Sequence, residues 1–315
     1  MAVSAVLIAL CSVSAALEFQ DDAKALTLLE DGKPVYVYHY TMVTPPEGVD
    51  ARYRRLAYMH PLYGLEGEVL TQDFPADHFH HRGVFWAWPE CTVGDRKIDV
   101  WSMDGAHQVQ EMLSRHLAAD AAQIAVINHW VFDDAPSVPQ VREKISITTY
   151  PTTNNQRAID FDMTFSNVSG KMVTFLGAEN KGYGGLCFRP DNAHKPMHFT
   201  TKDGQIPEDQ LRYDTPWADV SFEKVGDGSD EAATPTPQVG VAIFQHPDNP
   251  GYPHPGWIFR HYSFLGVSWP HEQTHVLQPG ESFTLKYRML VHQGSAEEAK
   301  VKEAFEEYLE EVKEN

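Results

Sequence analysis

The chain has 315 residues, 42% hydrophobic and 22% charged, enough for one large folded core or two modest ones and too apolar for a disordered tail. Its 44 acidic and 25 basic residues give a formal charge of −19, which disfavours nucleic acid and anionic membrane surfaces and favours a neutral small molecule or glycan. The 3 cysteines include no C-x-x-C pair, so no disulfide framework, zinc knuckle or thioredoxin-like motif is implied, and Cys91 and Cys187 read as buried small residues.

Residues 1–16 form an apolar run closed by Ser14 and Ala16, the pattern of a signal peptide, although its start carries no Lys or Arg. The expected location is therefore periplasmic or extracellular. The run is shorter than the roughly 20 residues of a spanning helix, and no later segment is apolar enough, so no membrane insertion is expected. Residues 26–29 and 35–40, joined across Asp31-Gly32, read as a hairpin. Next comes Asp77-His78-Phe79-His80-His81-Arg82-Gly83, three imidazoles and a guanidinium beside the aromatic run Phe85-Trp86-Ala87-Trp88. Read as a strand, it places His78, His80 and Arg82 on one face and Phe79, His81 and Gly83 on the other. Imidazole suits proton transfer near neutral pH and is the commonest metal ligand. The plainer alternative is a satisfied polar rim over a core.

Further strands are expected at 123–132, 143–150, 158–165, 171–176, 239–244 and 264–268. Between them, Gly177-Ala178-Glu179-Asn180-Lys181-Gly182-Tyr183-Gly184-Gly185 sets Glu179 and Lys181 among glycines, with Arg189 close behind. It lacks both the P-loop spacing and a dinucleotide-binding context. Residues 227–237 read as an exposed loop. Trp257-Ile258-Phe259-Arg260-His261-Tyr262 and the later Glu272 gather aromatic and charged groups of the kind that grip sugar rings. The final strand, 283–291, alternates apolar and polar residues. Ser295 and Glu298 form a capping-box pattern that opens an amphipathic helix over 295–315. The sum is a mainly β chain: one large antiparallel β-sandwich over 17–294 with a C-terminal helix packed on it.

The run 77–83, Ile159-Asp160-Phe161-Asp162, Lys181-Gly182-Tyr183-Gly184-Gly185 with Arg189, and Gln245-His246-Pro247-Asp248-Asn249-Pro250 resemble the PmoA-like bacterial family of unknown function, and the likeness spans nearly the whole mature chain. The methane oxygenase label attached to that family denotes a multi-span membrane protein and does not suit this sequence. The resemblance implies a galactose-mutarotase-like supersandwich and carbohydrate chemistry, and Pro279-Gly280-Glu281 looks like the end of an aldose-epimerase domain. Where family members carry Lys-Glu-Gly, this chain has Asn180-Lys181-Gly182, so Glu179 is taken as the functional acid.

The leading expectation is a secreted enzyme acting on a sugar or glycoside as epimerase, lyase or hydrolase. His81 or His261 would work with Glu179 as acid and base. Arg82, Arg189 and Arg260 would clamp hydroxyls or an oxyanion, with His78, His80, Lys181, Trp257, Tyr262 and Glu272 binding substrate. One alternative is a noncatalytic glycan-binding module. Another is a metal-dependent oxygenase or lyase, in which His78 and His80 hold a divalent metal with Glu179 or Glu272 from afar. No other cofactor is expected.

Overall fold

In a computed structural model, the described residues are 16–223 and 238–314. Residues 1–15 of the expected leader and the expected loop at 227–237 lie outside them. Two large antiparallel sheets dominate. One has eight strands, in the order Leu17–Asp21, Ala25–Glu30, Lys33–His39, Tyr58–Leu62, Val84–Ala87, Gly185–Phe188, Phe264–Val267 and Trp257–Arg260. The other has nine, running from Gly204–Ile206 through Met197–Thr201, Trp217–Glu223, Gln238–Gln245, Ser282–Gln293, Gln156–Asn167, Ala135–Thr149 and Ala122–Phe132 to Ala106–Leu117. A four-stranded sheet, with Cys91–Val93 and Val173–Phe175 at its centre, adds to the same core. The expected antiparallel β-sandwich with a terminal helix is thus the observed architecture.

Local chemistry explains the clearest elements. Asp31 and Gly32 both take positive φ, 51° and 77°, which is the backbone a two-residue hairpin turn requires. On Ser282–Gln293 the side chains of Phe283, Leu285, Tyr287, Met289 and Val291 enter the core, as their alternation predicts. The core between the two large sheets also holds a polar group. The carboxylate of Glu143, fully buried, accepts from Gln108 Nε2 at 2.9 and 3.1 Å, from Asn128 Nδ2 at 3.1 Å and from Trp130 Nε1. Burial pushes the Glu143 carboxyl up, against these donors. Cys91 and Cys187 are buried and free.

The outer face of each large sheet is covered differently. Helix Val301–Glu314 lays Val301, Phe305 and Tyr308 on Trp217, Ala242, Phe244 and Leu290 of the nine-stranded sheet. It starts later than the capping box foretold. Ser295 N–H donates to Glu298 at 2.8 Å and Glu298 N–H to Ser295 Oγ at 3.3 Å, but Lys300, at φ 52°, breaks the helical path between this turn and Val301. On the outer face of the eight-stranded sheet, Tyr58, Phe85, Ala87, Cys187, Ile258 and Phe264 cluster with Trp101 from a connecting loop. That second apolar layer is the floor of the candidate site.

Replacing Glu143 with Ala strands three buried donors. Unfolding free energy from urea titration is expected to fall by about 3–5 kcal/mol.

Candidate active site

Residues 77–83 do not form the expected strand. His78 N–H donates to Pro75 O at 2.9 Å and His81 N–H to His78 O at 2.9 Å, so two successive turns replace ladder pairing. Strand geometry returns only at Val84. At Gly83, φ is 20° and the backbone packs against Met59 so closely that a Cβ would strike its carbonyl. The turns keep His78 and His80 together, as expected, but exchange the expected sides of His81 and Arg82. His78, His80 and His81 converge on one cavity of about 280 Å³, while Arg82 points the other way.

The cavity is lined by these histidines together with Trp101, Lys181, Tyr183, Arg260 and Tyr262. The rings pack in order. His78 lies parallel between Tyr262, at 4.9 Å between centroids, and His81, at 4.7 Å. His80 meets His81 edge-on at 4.6 Å, and Trp101 flanks both. His81 is buried on Phe85 and Phe264 of the sheet.

Charge is fixed from below. Arg189, fully buried just past strand Gly185–Phe188, donates through Nη2 to both oxygens of Asp77 at 2.9 and 3.0 Å. Its Nη1 lies 3.4 Å from His81 Nδ1. A guanidinium only donates, so this nitrogen of His81 keeps its lone pair and the ring is neutral. Asp77 Oδ2 lies 2.9 Å from His78 Nδ1. Partial burial pushes the Asp77 carboxyl up, but His78 and Arg189 outweigh it and hold it below its ordinary value. Burial pulls His80 down to about 3, helped by the His78 and Arg55 charges, and takes His81 well below its usual range, with His80 and Arg189 adding to the effect. Burial likewise raises the phenols of Tyr183 and Tyr262. At neutral pH the cavity therefore offers two imidazoles held neutral, phenol hydroxyls that keep their protons, and one imidazole, His78, with a carboxylate at its back.

The remaining expected residues divide sharply. Lys181 and Arg260 line the cavity. Arg260 also pairs with Asp209 at 2.9 Å and stands 5.3 Å over the Tyr262 ring. Arg189 acts from beneath through Asp77. His81, expected as catalytic, is 1% exposed and serves as the floor of the stack. Glu179 is a correction. The turn after Ala178, closed by Gly182 N–H to Ala178 O at 2.7 Å, leaves Glu179 exposed outside the lining, where its charge acts on Lys97. His261 also turns away: its Nδ1 lies 2.9 Å from Asp209 and its ring stands edge-on to Phe199. Arg82 is fully buried, bound to Asp73 at 3.0 Å and stacked on Phe74, so it clamps no ligand. Trp257 is a core anchor whose Nε1 donates to Thr215 O. Glu272 is exposed beside His271, 3.8 Å away, and outside the lining. Asp77, Trp101 and Tyr183 were not among the expected site residues. Tyr183 had a signal, lying two positions from Lys181, and Asp77 stood at the head of the quoted motif. Trp101 had none.

Among the described residues, no group of three or more His, Cys, Asp or Glu side chains is placed to hold a metal ion. His78 turns one ring nitrogen to Asp77, and neither Glu179 nor Glu272 joins His78 and His80 in the lining. The expected two-histidine, one-carboxylate set is not assembled. No helix among the described residues is long and apolar enough to cross a membrane.

The depressed histidines set a pH dependence. Below pH 6.5 the unfolded chain takes up protons that folded His80 and His81 refuse, so stability is highest above 6.5 and falls with pH; the His80 share is lost as pH approaches about 3, and His81, held well below its usual range, acts in the same direction. The urea midpoint is expected to be lower at pH 5 than at pH 7, and His80→Gln to shrink the difference. An unchanged difference would mean that His80 titrates alike in both states.

No curated protein matches the chain. Similar solved structures include a GH36 alpha-galactosidase from Geobacillus stearothermophilus, at 12% identity and TM-score 0.35, covering 89% of this chain and 41% of that one. The chain thus spans under half the length of that protein. A galactose 1-epimerase from Lactobacillus acidophilus is similar at 10% identity and TM-score 0.39, with 90% of this chain and 100% of that one covered. For an aldose 1-epimerase homologue from Klebsiella pneumoniae the values are 9% and 0.42, with 91% and 81% covered. A family model matches residues 25–306, and the chain belongs to that family of unknown function, DUF6807.

Proposed function

We propose that the protein is a carbohydrate-active enzyme that removes a proton from a sugar carbon, as an epimerase or a lyase. The observation that carries this reading is the Arg189–Asp77 ion pair with His78 Nδ1 within 2.9 Å of Asp77, at a cavity whose lining holds Lys, Arg, Tyr and His groups and no Asp or Glu. His78, with Nδ1 toward Asp77, takes the proton on its other ring nitrogen, and Asp77 stabilises the resulting imidazolium. The C–H electron pair moves onto an adjacent carbonyl-type oxygen, giving an enolate met by Lys181, Arg260, a tyrosine hydroxyl or neutral His80. Pushing His80 far down keeps it an N–H donor beside a base of the same residue type, a division of labour set by environment. The enolate then recovers a proton on the other face, or expels a group from the next carbon.

The hydrolase variant has less support, because its usual form needs two carboxyl groups flanking the bond, and no Asp or Glu is among the lining residues. Trp101 and Tyr262 offer apolar ring surface for a sugar. Export through the leader at 1–16, and kinship with the PmoA-like proteins, are part of the same proposal.

The test is incubation in D2O with a panel of sugars, glycosides and 3-keto-glycosides, with and without chelator, read by NMR and mass. Deuterium uptake at one carbon is expected. His78→Gln should slow it by roughly 10²–10⁴-fold, with Asp77→Asn slowing it less while displacing the acidic limb of the pH–rate profile. Loss of turnover with chelator would replace this scheme with metal-assisted chemistry. Binding without exchange across the panel would leave a glycan-binding module.

A further inference from the structure

The cavity's charge is at odds with that of the molecule. The chain as a whole carries −19, yet no Asp or Glu side chain is among the lining residues of the cavity, whereas Lys181 and Arg260 are. The cations at the site fall into two kinds. Arg189 and Arg260 are each matched by a carboxylate, Asp77 at 2.9 Å and Asp209 at 2.9 Å. Lys181 is not. It is exposed at the cavity rim on a turn closed by Lys181 N–H to Ala178 O at 3.1 Å, and no carboxylate pairs with it among the described residues. Its nearest acid in sequence, Glu179, is exposed and outside the lining. Arg55, buried behind Trp101 and outside the lining, donates to the Val100 and Trp101 carbonyls and is offset by the Glu143 and Asp99 carboxylates, so it adds no free charge to the cavity. The imidazoles do not offset Lys181, being neutral or carboxylate-backed.

From this juxtaposition we infer that the ligand is a sugar bearing one carboxylate, a uronate-type ring, with the carboxylate set against Lys181 and the ring over Trp101 and Tyr262. The inference deepens the proton-transfer reading and rests on it, and it replaces the neutral ligand that overall charge alone had favoured. Charge count selects carboxylate over phosphate. One unmatched cation in the lining balances a charge of −1, whereas a phosphate monoester brings about −1.5 to −2. Chemistry points the same way. A hydrogen on the carbon next to a carboxylate becomes removable only when the carboxylate's charge is neutralised, and an ammonium group does that without competing as an acid. His78 would then take that proton, and the developing dianion would be met by Lys181 and Arg260. The cavity of about 280 Å³ has room for a sugar ring.

Titration calorimetry on the full chain at pH 7 distinguishes the options. The probes are glucuronate, galacturonate and mannuronate, their methyl esters, the parent hexoses, and hexose 6-phosphates. At least one uronate should bind roughly tenfold or more tightly than its own methyl ester and parent hexose, the scale of one charge-assisted contact. Lys181→Gln should remove most of that preference, and Lys181→Arg should keep it. Lys181 is exposed on a turn, so neither variant disturbs packing, and circular dichroism checks this. Ester or hexose binding as tightly as the acid overturns the inference and leaves the proton-transfer reading in place. Phosphates preferred to uronates, or a uronate preference unchanged in Lys181→Gln, overturns it as well. No binding by any sugar, together with no deuterium exchange, would remove both.

Discussion

A guanidinium without solvent exposure must be paired, and Arg189 is such a group. Its backbone already belongs to the eight-stranded sheet's margin: its N–H donates to Gly83 O at 2.8 Å and its carbonyl accepts from Gln72 N–H at 3.1 Å. The side chain meets its demand by reaching Asp77 and His81 across a sequence separation of more than 100 residues. Those two contacts fold segment 75–81 over the sheet as consecutive turns. Histidines that would otherwise alternate in and out of a strand are thereby brought to one side. The stack on Tyr262, the depressed imidazoles and the acid-backed His78 all follow from where that one buried charge sends its hydrogen bonds.

The outer face of a sheet in a sandwich has to be covered or wetted. The two large sheets solve this in opposite ways. The nine-stranded sheet takes an amphipathic helix, whose apolar stripe is continuous enough to close it. The eight-stranded sheet takes a thin layer of aromatics with polar rims, and a cavity remains between them. Chemistry sits where the cover is incomplete. The division also explains why aromatic residues from three separated loops, Trp101, Tyr183 and Tyr262, meet there.

Much of the architecture was legible because its signals are local. Asp31-Gly32 can hardly be anything but a hairpin turn, and 283–291 alternates so cleanly that its buried face is fixed by parity. Strands buried on both faces carry no such alternation: Gln238–Gln245 and Phe264–Val267 still stand out as apolar runs, whereas Asp219 and Ser221 interrupt the run in Trp217–Glu223, which the sequence does not mark. Leu17–Asp21 is an edge strand with little burial, and Ala106–Leu117 is exposed along half its length, so neither has a period of two to detect. At the site, residue type was readable and direction was not. The histidine cluster stands out in any reading. Choosing Asp77 over Glu179 needs knowledge that Arg189 lies under Asp77, a fact of tertiary packing. Trp257 and Arg82 look like ligand grips in sequence because nothing local says that Thr215 and Asp73 already occupy them.

The parallel stack of Tyr262, His78 and His81 has one more property. When the middle ring gains a proton, two neutral ring contacts become cation–π contacts on both faces at once, each worth about 0.5–2 kcal/mol. The rings are already at stacking distance before the charge arrives, so no side chain has to travel to receive it. Such an arrangement lowers the reorganisation energy of proton transfer: the environment that suits the charged base is built into the resting protein. Sliding either neighbour out of register would leave a base of the same type in the same place that charges more slowly, because its surroundings would have to move first.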